Sequence, residues 1–410
     1  MEDNKVICSF PFFRIYNNLT MQAYTPCCWA TIWKSETNPR TTLPIDHFTG
    51  EEFNRLRREM LQGEKTEFLE TYCGNCWKQE AEVNNSPRKE FLFFLDPPGT
   101  RGDGNCLLDL FNTDGTMKDN DVRFISLAIN IYGNSCNLQC YECLADNSSS
   151  RISVIKKIND PIFNKNFHYN EERLSNGTLK PLEPEQVNRI VDEIVSYGHK
   201  IHDINIVGGE PMLMRPSFKL LDKLIETGHS KNIGLAIVSN MTLMTVKKMK
   251  KYFDEFMFIG IQWSVDAIRE RNHWLRYPTD WDLTIENVKE VKAYLEENNK
   301  GQLRATVTPS LFSITSLEET SKWLFENNYE QLYTNFVREP EFLSPQHLPQ
   351  ELKDEIGPKV LKISNQHWEQ LMKERNEDEF NDAIRYADVL DKDRGTNWRT
   401  VFPEIAKYAN

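Results

Sequence analysis

From residue 121 onward, the chain alternates short runs rich in β-branched and aromatic residues with longer amphipathic runs. The longer runs place apolar residues at i, i+3, i+4 and i+7, which predicts helices, and the short runs predict strands. Such alternation is typical of strand-helix-strand crossovers on a parallel sheet. The predicted strands are residues 122–131, 203–207, 233–238, 256–265, 303–308 and 331–337.

Five consecutive crossovers between these strands constrain the fold further. Each crossover should be right-handed, which curves the sheet into a barrel or partial barrel. In such a barrel the catalytic residues gather where the strands end. The sequence therefore predicts an α/β fold and directs the search for functional residues to the segments that follow each strand.

Two further regions flank the predicted barrel. Residues 80–121 are rich in turn-forming residues and predict an irregular connection. A cysteine-bearing region precedes this connection, and after Pro340 the pattern becomes helical. We predict a Cys-rich module at residues 1–100, a barrel at 101–340 and a C-terminal helical segment at 341–410.

The net charge of -12 and the pI near 5.3 argue against general nucleic-acid binding, which needs a cationic surface. No run approaches the roughly 18 apolar residues needed to cross a bilayer, and the polar start MEDNKVICSF is unlike a signal peptide. We expect a cytoplasmic protein with no membrane partner. In a reducing compartment its nine cysteines favour metal ligands, redox groups or buried thiols over disulfides.

Three cysteines lie in the stretch CNLQCYEC, directly after the first predicted barrel strand: Cys136, Cys140 and Cys143. Three thiolates can ligate three irons of a four-iron cluster and leave the fourth iron open for a small chelating ligand. A structural zinc would need a fourth protein ligand, and no such residue is evident close by in the sequence. A zinc site with a distant ligand and simple buried thiols are the alternatives.

This CxxxCxxC loop, with Asn137 after the first cysteine, resembles the cluster loop of the radical S-adenosylmethionine (SAM) enzymes. The resemblance covers residues 122 to about 340 and implies a partial (β/α)6 barrel in which a 4Fe-4S cluster binds SAM through its open iron. It further implies reductive cleavage of SAM to a 5′-deoxyadenosyl radical that abstracts hydrogen from a substrate. The family usually has an aromatic residue near adenine where this chain has Glu142, and Tyr141, one position earlier, is the candidate for that contact.

Motifs at the ends of the next three predicted strands add to the resemblance: GGEP at 208–211, SNMT at 239–242 and SVDA at 264–267. Two glycines let the backbone approach a ligand closely, and Glu210 can accept a hydrogen bond from an ammonium group. For each motif a plain turn is the alternative. The segment RNHWLRYPTDW at 271–281 resembles one that follows the fourth strand in a subgroup of the family. The predicted SAM contacts are Tyr141, Gly208, Gly209, Glu210, Pro211, Ser239, Asn240, Ser264 and Asp266, and the predicted substrate-facing residues are Arg276 and Tyr277.

The front of the chain carries further cysteines in the stretches VICSFPF, YTPCCWA and CGNCW. Four thiolates from distant segments can close a metal site that stabilises a small domain. The stretches resemble a SPASM or twitch module, which binds an auxiliary 4Fe-4S cluster and usually follows the barrel. Structural zinc is the alternative, and a thioredoxin-type use of the CxxC is disfavoured because no strand leads into it. The candidate ligands are Cys8, Cys27 or Cys28, Cys73 and Cys76, and Cys106 is unassigned.

These features together predict a radical SAM enzyme with two iron-sulfur clusters. An auxiliary cluster with four protein ligands has no open iron and would accept or relay an electron, which favours net oxidation of the substrate. The resemblance implies peptide or protein modification, with oxidation of a small sugar or aminocyclitol as the alternative, and a flavodoxin- or ferredoxin-type electron donor. A non-catalytic iron-sulfur protein or zinc-stapled interaction protein remains a competing interpretation, but such a protein would have no use for the SAM-site residues.

Overall fold

The structure is a computed structural model, and it describes most of the chain in several continuous stretches. The described residues are 6–18, 23–27, 29–30, 42–83, 86–92, 95, 107–119, 122–130, 133–162, 182–333, 336–337 and 340–409.

Within these residues, an eight-stranded sheet forms the centre of the fold, in the order β2-β1-β3-β4-β5-β6-β7-β8. β1 and β2 are antiparallel, and every other neighbouring pair is parallel. The strands are β1 (Arg14–Asn18), β2 (Ala23–Thr25), β3 (Ile125–Asn130), β4 (Ile201–Ile206), β5 (Gly234–Ser239), β6 (Phe258–Ser264), β7 (Gly301–Val307) and β8 (Glu330–Tyr333).

The strands β3 to β8 confirm the six predicted strands and their parallel arrangement, and with them the α/β fold class. The strands β1 and β2 were not predicted. β1 has the sequence RIYNN, whose two asparagines are poor strand formers. It forms because it pairs with β3, with Arg14 opposite Ser126, and this partner lies far along the chain.

The two faces of the sheet differ in character. The outer face is buried and apolar, with Ile204 and Ile206 of β4 and Ile259 and Ile261 of β6 among its residues. The inner face consists of the alternate residues, which are mostly small or polar and only partly buried. The inner-face residues include Ser126, Ala128, Asp203, Asn205, Ala236, Val238, Gly260, Gln262, Ser264, Arg304 and Thr306.

Amphipathic helices alternate with the barrel strands, as predicted, because side chains three and four residues apart share one helix face. Helix α8, for example, buries Leu220, Leu221 and Leu224. The helices are α1 (Phe10–Phe13), α2 (Pro44–Thr49), α3 (Glu51–Gln62), α4 (Glu67–Val83), α5 (Pro87–Glu90), α6 (Ser149–Ile158), α7 (Pro184–Ser196), α8 (Arg215–Glu226), α9 (Val246–Glu255), α10 (Arg269–Leu275), α11 (Trp281–Glu297), α12 (Leu317–Glu326), α13 (Gln350–Ile363), α14 (Asn365–Leu371), α15 (Glu377–Arg394), α16 (Trp398–Val401) and α17 (Pro403–Ala406).

The helices α13 to α17 form the C-terminal segment, residues 350–409, and they confirm its predicted helical character. Part of this segment packs against the barrel: Tyr386 of α15 lies in an aromatic cluster with Tyr141 and Phe342. The front of the chain is joined to the same sheet through β1, so the boundaries of the three predicted domains stay a prediction. In the described part of the chain, no helix combines the length and the apolar character needed to cross a membrane.

Candidate active site

The segment between β3 and α6 carries the three central cysteines, and we call residues 133–148 the cluster loop. Cys136, Cys140 and Cys143 are free thiols, of which Cys140 is buried and the other two are half-buried. The loop begins where β3 ends, at the edge of the sheet where the parallel strands finish. The structure thus places these thiols at the edge of a parallel sheet that usually carries chemistry.

Backbone hydrogen bonds fix the cluster loop against the segment that follows β6. The amide of Gln139 donates to the carbonyl of Tyr277 at 2.6 Å, and the amide of Tyr141 donates to the carbonyl of Leu275 at 2.6 Å. These bonds hold the backbone on both sides of Cys140. The position of this thiol is therefore set by contacts between distant parts of the chain.

Burial raises the pKa of each thiol in the cluster loop. The pKa of Cys140 rises to about 11, and that of Cys143 rises above its ordinary range. After burial, the strongest influences on Cys143 are the negative charges of Cys140 and Cys136, so the three sulfurs lie within electrostatic reach of one another. Thiols in this arrangement need positive charge nearby to ionise together.

Three buried guanidinium groups supply positive charge at the cluster loop: Arg151, Arg276 and Arg394. Burial lowers the pKa of Arg151 to about 9 and that of Arg394 to about 10, and both stay charged at neutral pH. Burial also lowers the pKa of Arg276, but the thiol of Cys140 and the carboxyl of Asp266 outweigh this effect and raise it above its usual value. The negative charge of the Cys140 thiolate acts to raise the pKa of all three arginines.

The donor set of the cluster loop consists of three cysteine thiols. Among the residues that the structure describes, no group of three or more His, Cys, Asp or Glu side chains is arranged to hold a metal ion. Thiolate ligands of a four-iron cluster each bind a different iron, so they need not converge on one point. Three thiols beside buried guanidinium groups therefore fit an anionic cluster whose charge the arginines would offset.

The GGEP turn after β4 packs directly against the cluster loop. Gly208 and Gly209 both have left-handed backbone conformations, with φ of 90° and 48°. A Cβ atom on Gly209 would lie 2.3 Å from the carbonyl oxygen of Ser135, so this contact requires glycine. The amide of Glu210 donates to the same carbonyl at 2.8 Å, and Pro211 begins a short 3₁₀ turn.

The carboxyl group of Glu210 is completely buried and accepts three hydrogen bonds. Its Oε1 accepts from the hydroxyl of Ser239 at 2.9 Å and from the amide of Met212 at 3.2 Å, and its Oε2 accepts from the amide of Asn240 at 2.9 Å. Burial raises the pKa of Glu210, and these bonds oppose that rise. Glu210 therefore links the end of β4 to the end of β5.

A chain of side-chain hydrogen bonds continues from this carboxyl to the cluster loop. The side-chain amide Nδ2 of Asn240 donates to Oδ1 of Asn137 at 3.0 Å. The side-chain amide Nδ2 of Asn137 donates in turn to the hydroxyl of Thr242 at 2.8 Å. Asn137 directly follows the first cluster cysteine. The GGEP and SNMT motifs and the cluster loop thus form one connected network.

At the end of β6, Asp266 joins a second buried network. Its Oδ2 pairs with Nη1 of Arg276 at 2.5 Å, and its Oδ1 accepts from the amide of Thr308 at 2.9 Å. Glu142 lies nearby and accepts a bond from the hydroxyl of Ser310 at 2.7 Å. Burial and then the charge of Asp266 raise the pKa of Glu142 to about 8.

The remaining predicted residues occupy different places. Ser264 ends β6 on the inner face of the sheet, beside the second network. Tyr277 packs its ring under the guanidinium of Arg394, whose Cζ lies 4.9 Å from the ring centroid. Tyr141 is completely buried, with its hydroxyl donating to the carbonyl of Ala383 at 3.4 Å. In this structure its ring belongs to the core and offers no surface to a nucleoside.

The front cysteines are also brought together by the fold. Cys8, Cys27, Cys73 and Cys76 are free thiols, and burial followed by the charges of the other three raises the pKa of Cys73. Burial raises the pKa of Cys8 to about 12. Arg88 influences three of these thiols as a nearby positive charge. Cys28 and Cys106 lie outside the described residues.

The two groups of cysteines lie at opposite edges of the sheet. Cys8 precedes the start of β1, and Cys27 follows the end of the antiparallel β2, whose Thr25 pairs with Tyr16. Both cysteines therefore lie near the edge where the parallel strands begin. The cluster loop follows the carboxyl end of β3, at the other edge.

Sequence reasoning missed several residues that support the cluster loop. Arg151 and Arg394 follow no motif, and Asn137 was noted only as part of the cysteine pattern. A local signal existed for Asn137, because an Asx side chain in a polar loop commonly bonds to neighbouring groups. No local signal marks Arg394, which reaches the loop from the C-terminal segment.

Residues 130–303 match the family model described as the Radical SAM superfamily. The match begins at the end of β3 and includes the cluster loop, the network around Glu210, and Asp266 with Arg276. This segment of the chain is therefore similar to the radical SAM superfamily. Among curated proteins, none matches the chain.

Several solved structures show distant similarity to the chain. Native anSMEcpe with bound AdoMet is 17% identical and covers 58% of this chain and 59% of its own, with a TM-score of 0.38. Streptococcus suis SuiB bound to the precursor peptide SuiA is 15% identical and covers 75% of this chain and 63% of its own, with a TM-score of 0.36. The chain thus spans less than two thirds of the length of these proteins.

Proposed function

We propose that this chain is a radical SAM enzyme that holds a 4Fe-4S cluster on Cys136, Cys140 and Cys143 and binds SAM beside it. The observation that carries the proposal is the cluster loop itself. Three thiols lie at the carboxyl edge of a parallel sheet, within the matched segment and among three buried guanidinium groups. When bound, the cluster and SAM supply one-electron cleavage of SAM and removal of a hydrogen atom from the substrate.

The residues of this chain would prepare the SAM site. Gly208 and Gly209 have left-handed conformations that favour glycine. Because glycine has no Cβ, the backbone at these positions can also approach a ligand closely. Glu210 is buried and accepts three hydrogen bonds within the protein, so we assign it the task of holding Ser239 and Asn240 in place. Charge on the sulfonium and carboxylate of SAM would meet a polar site rather than an apolar pocket.

The second network gives the site its charged groups. Arg276 is held by Asp266 and lies within electrostatic reach of Cys140 and Glu142. Because its guanidinium stays protonated, it keeps a fixed positive charge beside the cluster loop. We propose that Asp266 and Ser264 contact the nucleoside part of SAM and that Arg276 and Tyr277 border the substrate.

For the front cysteines we propose an auxiliary 4Fe-4S cluster on Cys8, Cys27, Cys73 and Cys76. The other three thiols lie within electrostatic reach of Cys73, and the guanidinium of Arg88 lies close enough to influence Cys73 and Cys76, which suits an anionic cluster. Structural zinc is the alternative. A cluster with four protein ligands would serve to accept an electron, which makes the proposed reaction a net oxidation.

The inner face of the sheet favours a polar, extended substrate such as a peptide. Small residues, including Ala236 and Gly260, leave room along this face. Polar groups line it, and Oδ1 of Asn205 and Oγ1 of Thr306 are buried without a hydrogen-bond partner among the described residues. A peptide would present amide groups to these atoms. Oxidation of a small sugar or aminocyclitol is the second candidate, because hydroxyl groups could satisfy the same atoms.

The proposed chemistry needs a low-potential reductant and a reducing compartment for its thiolates. We propose a flavodoxin- or ferredoxin-type electron donor and a cytoplasmic location for the enzyme. The negative net charge of the chain does not select a donor by itself.

The test is the iron and sulfide content of anaerobically reconstituted protein, with EPR spectra in the presence and absence of SAM. The wild type should hold about eight irons, and the Cys136→Ala/Cys140→Ala/Cys143→Ala variant about four, with a SAM-sensitive signal lost. Cys106→Ala, a cysteine with no assigned role, is the matched control and should retain both. An unchanged iron content and an unchanged SAM-sensitive signal in the triple variant would contradict the proposal.

A further inference from the structure

The C-terminal segment, which lies beyond the matched residues 130–303, covers part of the cluster loop. The hydroxyl of Tyr386 donates to the carbonyl of Tyr141 at 3.2 Å, and the hydroxyl of Tyr141 donates to the carbonyl of Ala383 at 3.4 Å. Both contacts come from α15, whose last residue is Arg394. The cluster loop is therefore completed by an element outside the segment that carries its motif.

Arg394 makes the most direct of these contacts. Its Nη2 donates to the carbonyl of Gln139, and its Nη1 donates to the carbonyl of Trp274 at 3.2 Å. Its guanidinium also lies over the ring of Tyr277, and the residue is only 8% exposed. The group thus bridges the cluster loop and the end of α10 in a nearly dry environment.

The end of α15 fixes the direction of this side chain. Gly395 adopts the left-handed conformation that ends the helix, with φ of 68°. Asp391, one turn earlier, accepts a bond from the indole of Trp274 at 2.7 Å and from the amide of Trp398 at 2.5 Å. These contacts anchor the last turn of α15, so Arg394 reaches the loop from a rigid base.

The guanidinium is also an electrostatic neighbour of Cys140. Burial lowers its pKa to about 10, and the thiol of Cys140 is the strongest of the groups that oppose this change. The carboxyl of Asp391 acts in the same direction. At neutral pH Arg394 therefore places a permanent positive charge beside a proposed cluster ligand.

We infer that Arg394 is a positioning residue for the SAM-binding cluster, which it serves both by holding the Gln139 carbonyl and by stabilising the reduced cluster with its charge. This inference rests on the proposed function. Reduction adds one negative charge to a cluster, and a buried cation nearby favours that state, especially where water is excluded. The midpoint potential of the cluster should therefore depend on a residue of the C-terminal segment.

The experiment is an EPR-monitored redox titration of anaerobically reconstituted protein, with iron content measured on the same samples. Arg394→Gln removes the charge and should shift the midpoint potential of the SAM-sensitive cluster to a lower value. Arg394→Lys keeps the charge but not the planar fork, and its midpoint should lie near that of the wild type. Arg271→Gln is the matched control, because Arg271 ties the C-terminal segment to α10 through Glu404, at 2.9 and 3.3 Å, and does not bond the loop.

The outcomes separate this inference from the proposed function. A wild type without a SAM-sensitive cluster would defeat the proposed function, whereas a fully loaded Arg394→Gln variant with the wild-type midpoint would overturn only the inference. An equal fall in midpoint potential in the Arg394→Gln and Arg394→Lys variants would also overturn the role of the charge. A fall in midpoint potential in the Arg271→Gln control would do the same. If the Arg394→Gln variant fails to assemble its cluster, the Arg394→Lys variant is the deciding test. This variant must hold the full iron content and have a midpoint potential near that of the wild type, and otherwise the inference is overturned.

Discussion

At the scale of single residues, Glu210 shows how the carboxyl of a motif residue can be engaged by other parts of the protein. The sequence pattern predicts that Glu210 accepts a hydrogen bond from the ammonium of SAM. In the structure its carboxyl is buried and accepts hydrogen bonds from Ser239, Asn240 and Met212. Under the proposed function, its effect on SAM would be indirect, through Ser239 at the end of β5 and Asn240 directly after it. This arrangement makes a specific prediction for a nearly isosteric change.

Glu210→Gln should weaken SAM binding about tenfold while leaving the iron content unchanged. The amide nitrogen of glutamine cannot accept a bond, so one backbone amide, of Asn240 or Met212, loses its partner, which costs about 1–3 kcal/mol. This cost reaches SAM affinity only where SAM must bring the displaced Ser239 and Asn240 back into place, and about 1.4 kcal/mol of such reordering corresponds to a factor of ten in affinity. The measurement is equilibrium binding of SAM to the anaerobically reconstituted protein.

A matched control exists on the outer side of the barrel. Glu193 of α7 also accepts bonds from two backbone amides, those of Ile45 at 2.8 Å and Asp46 at 3.4 Å, but it lies away from the site. Glu193→Gln should bind SAM as the wild type does. Equal SAM affinity in the Glu210 variant and the wild type would show that this carboxyl has no part in the site.

At the scale of elements, the turn after β4 depends on how closely it approaches the cluster loop. Two features favour glycine at position 209. Its φ is 48°, and an added Cβ would clash with the carbonyl oxygen of Ser135 at 2.3 Å. Gly228, after α8, shares only the first feature, because its φ is 76° but a Cβ there would meet nothing within 4 Å. Comparing the two glycines separates backbone strain from a clash with the loop.

Gly209→Ala should therefore destabilise the protein more than Gly228→Ala and should also weaken SAM binding. The left-handed conformation alone costs alanine roughly 1–2 kcal/mol, and both variants bear that cost. Only the Gly209 variant must in addition displace the backbone of the cluster loop. Thermal unfolding and SAM titration measure the two effects, and equal losses in both variants would argue against the close packing of turn and loop.

The same scale shows why the sequence predicted some elements and missed others. The strands β3 to β7 have local hydrophobic patterns, because each has a face that is buried in the core. β1 has the short, polar sequence RIYNN and becomes a strand only by pairing with β3. Arg394 is likewise defined by its contact with Gln139, and no spacing rule joins residues so far apart.

At the scale of the whole molecule, the sheet separates two groups of thiols. The front cysteines lie where the parallel strands begin, and the cluster loop lies where they end. A strand of six residues, such as β3, spans about 20 Å. Two clusters at these edges would be distinct centres that exchange electrons through the protein, rather than one shared site.

This separation predicts that the two centres can be removed independently. Cys73→Ala/Cys76→Ala should lose about four irons and keep the SAM-sensitive EPR signal, because the two groups of thiols lie at opposite edges of the sheet. In the fully reduced wild type, magnetic coupling over about 20 Å should broaden that signal weakly, and the variant should lose the broadening. Loss of zinc with no loss of iron would instead show a structural metal at the front, and the proposal that the enzyme uses an auxiliary electron acceptor would then be wrong.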